Sequence, residues 1–532
     1  MARLHEYQGK QQLAKEGILT PRGAAATTPD AARAIAAEIG RPVMVKAQVW
    51  VTGRAGLGAI RKAATPDEAA LIAETLLGQR IKNLTVTEVL VEEQLDIARE
   101  FYAGVIVDDR AQAPLVIFSS VGGTGIEEIA VAHPDKVART HVDIERGFLD
   151  YQARDLVRRT GISGKLQSEL GDLLVRLYQV ARGCEARSAE INPLALTAEG
   201  KLVAADCRIT VDDYAVFRHP ELGIEIAREY DRPPTQLEKI AYAVEAQDYR
   251  GTFYFIQMAE GFQRGEGYIG FHGAGGGGSM MSMDALLRQG FKVATFVDTS
   301  GNPPASKVYR AAKIVLAVGP IDGYFSSGSG VASQEQFYSA RGFFKAFLEA
   351  QVEVPIVVRL GGNGEDRAVE ILEGLNGRIP APVEGYKKDD SPDFCVQRLA
   401  ALIGEQAEKR ESGKAERRES EKARKRESEK ARRREGEKAG ERSSETLYTF
   451  LSPTGTVTLD HALCATCASK VCVEACARRI LALDAEGLPV LAITPEEAQK
   501  GRCVECLACE VDCLLYGAGG GHVDLPIAGL DA

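Results

Sequence analysis

Short apolar runs rich in β-branched residues recur along residues 1–403. Pro42–Lys46, Leu115–Ser119, Tyr268–His272, Lys313–Val318 and Pro355–Leu360 have the length and composition of buried strands. Between them, residues 66–77, 281–289, 334–350 and 366–374 carry apolar side chains at helical spacing. Strands alternating with helices predict an α/β fold, with a largely parallel sheet over roughly 240–403. The stretch 229–236, with Pro233 and Pro234, is the expected boundary between domains of residues 1–232 and 233–404.

This pattern stops near Glu405. Residues 405–442 hold 15 Lys/Arg against 11 Asp/Glu and present no apolar face. An eight-residue repeat starts at Arg410, Arg418, Arg426 and Arg434, and sets pairs such as Glu421–Lys425 and Glu429–Arg433 at i,i+4. Each such pair adds about 0.2–0.5 kcal/mol to an isolated helix, but a helix with no apolar face has nothing to pack. Residues 405–445 are therefore expected to be a charged linker, part helical and part disordered. Fully helical, residues 405–442 would reach about 57 Å, a length suited to a mobile module beyond them.

Cysteine then changes the picture. Of the 11, Cys184, Cys207 and Cys395 are scattered and the rest fall between Cys464 and Cys513. They form two runs, Cys464-x2-Cys467-x4-Cys472-x3-Cys476 and Cys503-x2-Cys506-x2-Cys509-x3-Cys513. The second spacing is that of the bacterial ferredoxin run, with Leu514 where a proline usually follows. The first has two extra residues in its middle gap and Ala477 at the proline position. A C-x2-C turn aims two thiolates at one centre, the third cysteine closes the triad, and the fourth reaches the other centre. Residues 446–532 thus resemble a two-cluster ferredoxin, a small α+β module. The resemblance puts Cys464, Cys467, Cys472 and Cys513 on one [4Fe–4S] cluster, and Cys503, Cys506, Cys509 and Cys476 on the other. Two zinc sites or a degenerate structural module are the alternatives; two complete four-cysteine runs favour clusters. His461, just outside the first run, reads as a surface residue because the ligand count is complete.

The net charge of −10 argues against a general nucleic-acid binder. The opening ten residues lack the apolar core of a secretory signal, and no stretch approaches 18 consecutive apolar residues. A cytoplasmic, reducing setting without a membrane span is expected. There, clustered cysteines hold metal more often than they form disulfides.

Further segments stand in a recognisable order: Leu4–Lys10, Val45–Gln48, Val91–Glu92 with Asp96–Glu100, Glu190–Leu194, Gly273–Gly275, Phe296–Asp298, and Pro355–Leu360 with Gly362–Asn363. Through residue 403 they resemble the nucleotide-binding β subunit of succinyl-CoA synthetase, an NDP-forming acyl-CoA ligase. The resemblance implies an ATP-grasp domain followed by a flavodoxin-like parallel α/β domain. It makes Lys46 a point charge on the ATP phosphates. It makes Gly53, Arg54 and Ala55 part of a loop covering them with backbone N–H groups. Glu92, Leu95 and Glu100 complete the nucleotide site. Asn192 and Asp206, oxygen donors 14 residues apart across a hairpin, match the Mg²⁺ ligands. Glu190, on the same side of the strand as Asn192, matches the glutamate that positions the phosphohistidine loop of an α-type partner subunit. In the second domain, the glycine run from His272 to Ser279 before a helix makes an anion site. Ser326–Val331 is a second such loop, with Gly328, Ser329 and Gly330 in the substrate set. His272 stands where the family has a substrate-contacting asparagine.

The implied reaction joins a short carboxylic acid to CoA, with ATP giving ADP and phosphate by way of the partner's phosphohistidine. The chain shows no CoA-binding half or active histidine of its own, so it is expected to be inactive without that partner. ATP and GTP both remain open. Several positions depart from the family: Gly56 for a lysine, His272 for an amide, Ser329 in a glycine pair, a loop two residues longer after Gly275, and Ala332-Ser333-Gln334 for Arg-Cys-Asp. They predict an acid other than succinate. The rival reading is an iron–sulfur electron-transfer scaffold for a redox partner protein, with the ligase body secondary. Retention of Lys46, Glu190, Asn192 and Asp206 argues against it.

Overall fold

A computed structural model describes residues 2–530 except 52, 83, 123–129, 132, 229–231, 249, 251, 329, 331 and 425–445, and only the backbone of 410–424. The chain divides into two units, Met1–Pro234 and Thr235–Ala532.

In the first unit, helices Pro29–Ile39 and Pro66–Leu76 each follow a Thr-Pro-Asp sequence. Thr28 and Thr65 accept hydrogen bonds from the N–H groups of Ala31 and Glu68, and the proline occupies the first turn, where its missing N–H is not needed. Ala32, Ala36, Ala69, Ala73 and Leu76 bury the helices' apolar faces. They pack on an antiparallel sheet in the order Gly23–Ala26, Val89–Glu93, Val43–Ala47, Ile60–Ala63. A larger antiparallel sheet runs Ala2–Arg3, Cys207–Val211, Ala186–Thr197, Ile97–Asp108, Ala113–Ser119, Val137–His141, with Leu202–Ala204 paired to Ala186–Thr197. The hairpin after Ala186–Thr197 returns Asp206 beside Asn192, whose N–H donates to the Asp206 carbonyl at 3.1 Å.

In the second unit, six strands run Tyr254–Gln257, Lys292–Asp298, Tyr268–Ala274, Gly323–Gly328, Ile356–Arg359, Val383–Tyr386. The edge strand Tyr254–Gln257 is antiparallel and the others are parallel. Helices Gly276–Arg288, Ala305–Leu316, Phe337–Ala350 and Glu365–Glu373 connect the parallel strands. Numbered along the chain, these stand in the order 2-1-3-4-5, so the direction of winding switches between Tyr268–Ala274 and Gly323–Gly328. That switch is where a doubly wound sheet opens a crevice for ligands.

One strand assignment is corrected. Lys313–Leu316 is the last turn of helix Ala305–Leu316, not a strand. Ile314 and Val315 continue a buried helical face begun by Val308, Ala311 and Ala312, and a six-residue apolar run cannot distinguish the two periods. The helix Pro392–Arg424 also runs through residue 404 into the charged segment. Leu399 and Leu402 anchor its first half in the core; residues 425–445 lie outside the described ones.

The cysteine-rich region is not a free module on a tether. It has a three-stranded sheet, Leu447–Leu451, Thr456–Asp460 and Gly521–Asp524, a small hairpin, Leu481–Leu483 with Pro489–Leu491, and short helices including Val471–Glu474 and Ala508–Tyr516. Phe450, Val457, Leu507 and Val523 belong to the same buried cluster as Phe343, Phe347 and Ile371 of the α/β domain. Arg341 makes a two-pronged contact with Asp512, both distances 2.7 Å, at 1% and 0% side-chain exposure. Lys345–Glu510 at 2.8 Å and Arg250–Glu505 at 2.9 Å add to it. No described helix is long and apolar enough to cross a membrane.

Candidate functional site

Three cations and three carboxylates meet in the first unit. Lys46, near the end of strand Val43–Ala47, contacts Glu6 at 2.8 Å, Glu92 at 2.7 Å and the Ala205 carbonyl at 2.9 Å. Lys10 contacts Glu6 at 2.7 Å, Glu92 at 2.5 Å and the same carbonyl at 2.9 Å. Arg54 donates to Glu6 at 2.6 Å, to both Asp206 oxygens at 2.9 Å, and to the Ala47 carbonyl at 3.2 Å. The charges cancel one for one, which is how ions persist out of water. Burial opposes the Lys46 charge, but the carboxylates of Glu6, Glu92 and Asp206 outweigh it and hold its pKa above the usual lysine range. Burial likewise works against the Glu6 anion, and Lys46, Lys10 and Arg54 overcome it, so its pKa lies below the usual range. Asp206 is raised, by burial first and then by Glu6.

Glu190 and Asn192 sit two residues apart on strand Ala186–Thr197, each half-buried. Glu100 lies in strand Ile97–Asp108 opposite Ala195, outside this charge network. Leu95 is half-buried, and Gly53 and Ala55 are exposed on the loop beside Arg54. Sequence reasoning assigned no role to Glu6 and Lys10. Their signal was the i,i+4 spacing at the start of the chain, inside a segment quoted for its family likeness.

The second unit's glycine run opens helix Gly276–Arg288, with Gly275 before it at φ +100°. Asp298 fixes the loop by accepting from the N–H groups of Gly275 at 3.0 Å and Ser300 at 2.8 Å. A side chain at Gly273 would sit 2.3 Å from Ser279 Oγ, so glycine lets this helix close on its strand. Gly328 ends its strand, Gly330 follows at φ +77°, and Ser329 between them lies outside the described residues. His272 does not face this crevice. It is 0% exposed, its ring nitrogens lie 2.9 Å from Tyr324 Oη and 3.1 Å from Thr299 Oγ1, and burial pushes its pKa down to about 3. This is the geometry of a neutral core histidine.

The eight clustered cysteines are free thiols and fall into two spatial sets. Cys464 feels Cys513 and Cys467, and Cys472 feels Cys513, Cys464 and Cys467. Cys503 feels Cys506 and Cys476, and Cys509 feels Cys506, Cys503 and Cys476. Burial leads in pushing Cys464 and Cys472 up to about 11 and Cys503 to about 12. Backbone N–H groups nevertheless point at the sulfurs: Glu505 at Cys503, Ala477 and Ala508 at Cys506, and Lys470, Ala518 and Ser469 at Cys467. Glu505 and Leu507, between the cysteines of the second run, hold φ at +51° and +58°, an uncommon conformation for residues with side chains. Cys476, Cys503, Cys506 and Cys509 line a cavity walled by Ile480, Leu481 and Val523. In the other set, a side chain at Gly520 would come 3.2 Å from Cys464 Sγ and one at Gly517 would come 3.4 Å from Cys513 Sγ. Among the described residues, no three His, Cys, Asp or Glu side chains converge as the ligands of one metal ion.

The ATP-grasp domain model matches residues 3–196. The GDP-forming succinate–CoA ligase β subunit of Thermus thermophilus is 40% identical over 372 residues, 70% of this chain and 93% of that protein. The chain belongs to the succinate–CoA ligase β-subunit family. An ADP-forming β subunit from Chloroflexus aurantiacus is 37% identical over 390 residues, 73% of this chain and 97% of that protein. ATP citrate lyase from Methanothrix soehngenii, solved with citrate and coenzyme A, shares the fold with a TM-score of 0.63 at 19% identity, over 75% of this chain and 99% of that one. The chain thus spans nearly all of these two relatives and has a further part that they do not match.

Proposed function

We propose that this chain is the nucleotide-binding subunit of an ADP-forming carboxylate–CoA ligase, acting with an α-type partner. The observation that carries the reading is the neutral buried network of Lys46, Arg54, Glu92 and Asp206. ATP would bring new negative charge to it. Lys46 would turn toward the phosphates while Lys10 stays on Glu6 and Glu92. Arg54 would leave Asp206, whose carboxylate with the Asn192 amide oxygen would hold Mg²⁺; both are the oxygen donors this hard ion takes. Bound Mg²⁺ supplies charge stabilisation on the phosphates. Gly53 and Ala55 offer backbone N–H groups, and Glu92, Leu95 and Glu100 would line the rest of the nucleotide site.

Glu190 would position the partner's histidine. The γ-phosphoryl group passes to a nitrogen of that histidine as ADP leaves, and then to a carboxylate oxygen of a short acid. The CoA sulfur attacks the acyl carbon and phosphate leaves. In a flavodoxin-like second domain, the N–H groups from Gly276 onward would face phosphate at the helix N-terminus, with Gly328, Ser329 and Gly330 on the opposite loop. His272, buried and hydrogen-bonded on both sides, has no place in this substrate set. The departures at Gly56, Ser329 and Ala332–Gln334 support an acid other than succinate. The test is co-expression with an α-type subunit and an assay of short acids with CoA and ATP. The pair should form acyl-CoA and the chain alone should not. Highest kcat/KM for succinate would overturn the choice of acid, and turnover by the single chain would overturn the need for a partner.

In this reading the cysteine sets hold two [4Fe–4S] clusters. Support comes from two sets of four free thiols, N–H groups aimed at sulfur, and an apolar surround. A cluster stores one electron at a potential set by charge and by hydrogen bonds to sulfur. A redox partner protein would exchange it. Anaerobically purified chain should contain about eight iron and eight acid-labile sulfide per chain; zinc in their place would overturn the clusters. An electron-transfer scaffold with a vestigial body is disfavoured by the intact network around Lys46.

A further inference from the structure

Arg341 lies on helix Phe337–Ala350 of the α/β domain and is wholly buried. Its Nε and Nη2 donate to the two oxygens of Asp512 at 2.7 Å. Asp512 lies on helix Ala508–Tyr516, between Cys509 of one set and Cys513 of the other. The guanidinium is clamped over the Phe337 ring at 4.9 Å. With two nitrogens fixed by Asp512, the direction of the third is fixed as well, because the guanidinium is planar. That third nitrogen, Nη1, is buried and has no hydrogen-bond partner among the described residues. A buried donor left unpaired costs about 1–3 kcal/mol, so its retention calls for an acceptor. Besides Asp512, the acidic groups whose charge bears on Arg341 are Cys506 and Tyr338; the guanidinium lies 5.7 Å from the Tyr338 ring, and the helix that carries Asp512 also carries Cys509 and Cys513.

We propose that Arg341 is the charge and hydrogen-bond partner of the second four-cysteine centre, donating from Nη1 to sulfur at or beside Cys506 and setting that centre's potential from within the ligase domain. The proposal rests on the iron–sulfur reading. One-electron reduction adds negative charge to the cluster, and a fixed cation and donor beside it favour the reduced form. Arg341 and Arg367 together outnumber Asp512, so the group remains cationic. Coupling between sites is reciprocal. The electron on this centre therefore also bears on helix Phe337–Ala350, which follows the second glycine loop of the ligase domain.

The experiment is an anaerobic dithionite titration of the full chain, followed by electron paramagnetic resonance, for wild type, R341Q, R341K and R367Q, with iron and sulfide measured in each. R341Q should keep its iron and lower the midpoint of one centre only. The expected fall is about tenfold in that centre's reduced-to-oxidised ratio at fixed potential, ~59 mV for one electron. R341K, which keeps the charge and loses the planar fork, and R367Q, which removes one charge but keeps Nη1, should each fall by less. The exchangeable proton coupled to that centre, seen by electron–nuclear double resonance, should vanish in R341Q. Unchanged midpoints in R341Q and R341K, or equal shifts in both centres, overturn the proposal. Should R341Q fail to load, R341K decides by the same criterion. Wild-type chain without iron and sulfide would instead sink the iron–sulfur reading, a separate outcome.

Discussion

The charge network around Lys46 and the one around Asp512 use the same ions in opposite ways. In the first, Arg54 comes from an exposed loop and Asp206 keeps 28% of its side chain accessible. In the second, Arg341 and Asp512 stand on two helices at 1% and 0% exposure. A loop arginine can be exchanged for the charges of a ligand, because little else moves with it. A helix arginine sealed on its partner cannot leave without separating the surfaces that carry them. Burial alone therefore does not make an ion pair structural. What decides is whether the element behind each ion can move independently.

Asp512→Ala should have the largest effect on this contrast. It leaves Arg341 as a buried, unmatched cation and should cost about 3–5 kcal/mol, read as a lowered urea midpoint and earlier proteolysis within 446–532. A loss under about 1 kcal/mol would put the pair on the footing of a surface contact. Lys46→Met probes the other network. Lys46→Met leaves one carboxylate unmatched, but Lys10 still bridges Glu6 and Glu92 and Asp206 is partly accessible, so the stability loss should be smaller, about 1–2 kcal/mol, while kcat/KM for ATP, with the partner present, falls about 10²–10³-fold. A matching loss of stability would make the Lys46 network as structural as the Asp512 one.

His272 supplies an uncharged reference. Its folded pKa, about 3, lies below the ordinary value of 6.5 because of burial. The unfolded chain therefore takes up the proton first as pH falls. The stabilisation is complete above pH 6.5 and is lost as pH falls toward 3, by about 1–2 kcal/mol at pH 5. His272→Asn should flatten that part of the slope; identical slopes for both proteins between pH 7.5 and 5 would refute it. Arg367→Ala should be mildest. Arg367 touches Asp512 from a side that is 40% exposed, and its loss should cost under about 1 kcal/mol. An effect as large as that of Asp512→Ala would show that the pair depends on both arginines.

Much of the architecture was legible in the chain. The apolar runs located two of the six strands in the second unit's sheet, Tyr268–Ala274 and Ile356–Arg359, the helical periods located three of its helices, Gly276–Arg288, Phe337–Ala350 and Glu365–Glu373, and the Thr-Pro-Asp starts of two helices carry their own caps. The error at Lys313–Val318 has a local cause, since a few apolar residues fit either period. The misjudged position of the cysteine-rich region has a different one. Residues 405–442 have no apolar face, which is a true statement about that segment. It says nothing about where the residues beyond it dock. Asp512 and Arg341 are 171 positions apart, and no periodicity connects them.

Local composition thus determined what each stretch could become: strand, capped helix, charged segment, cysteine turn. The tertiary structure alone decided which charges meet. It put Glu6 and Lys10 beside Lys46, hid His272 behind Tyr324 and Thr299, and sealed Asp512 against Arg341. Such pairings depend on removing both ions from water together, and only the packed fold does that.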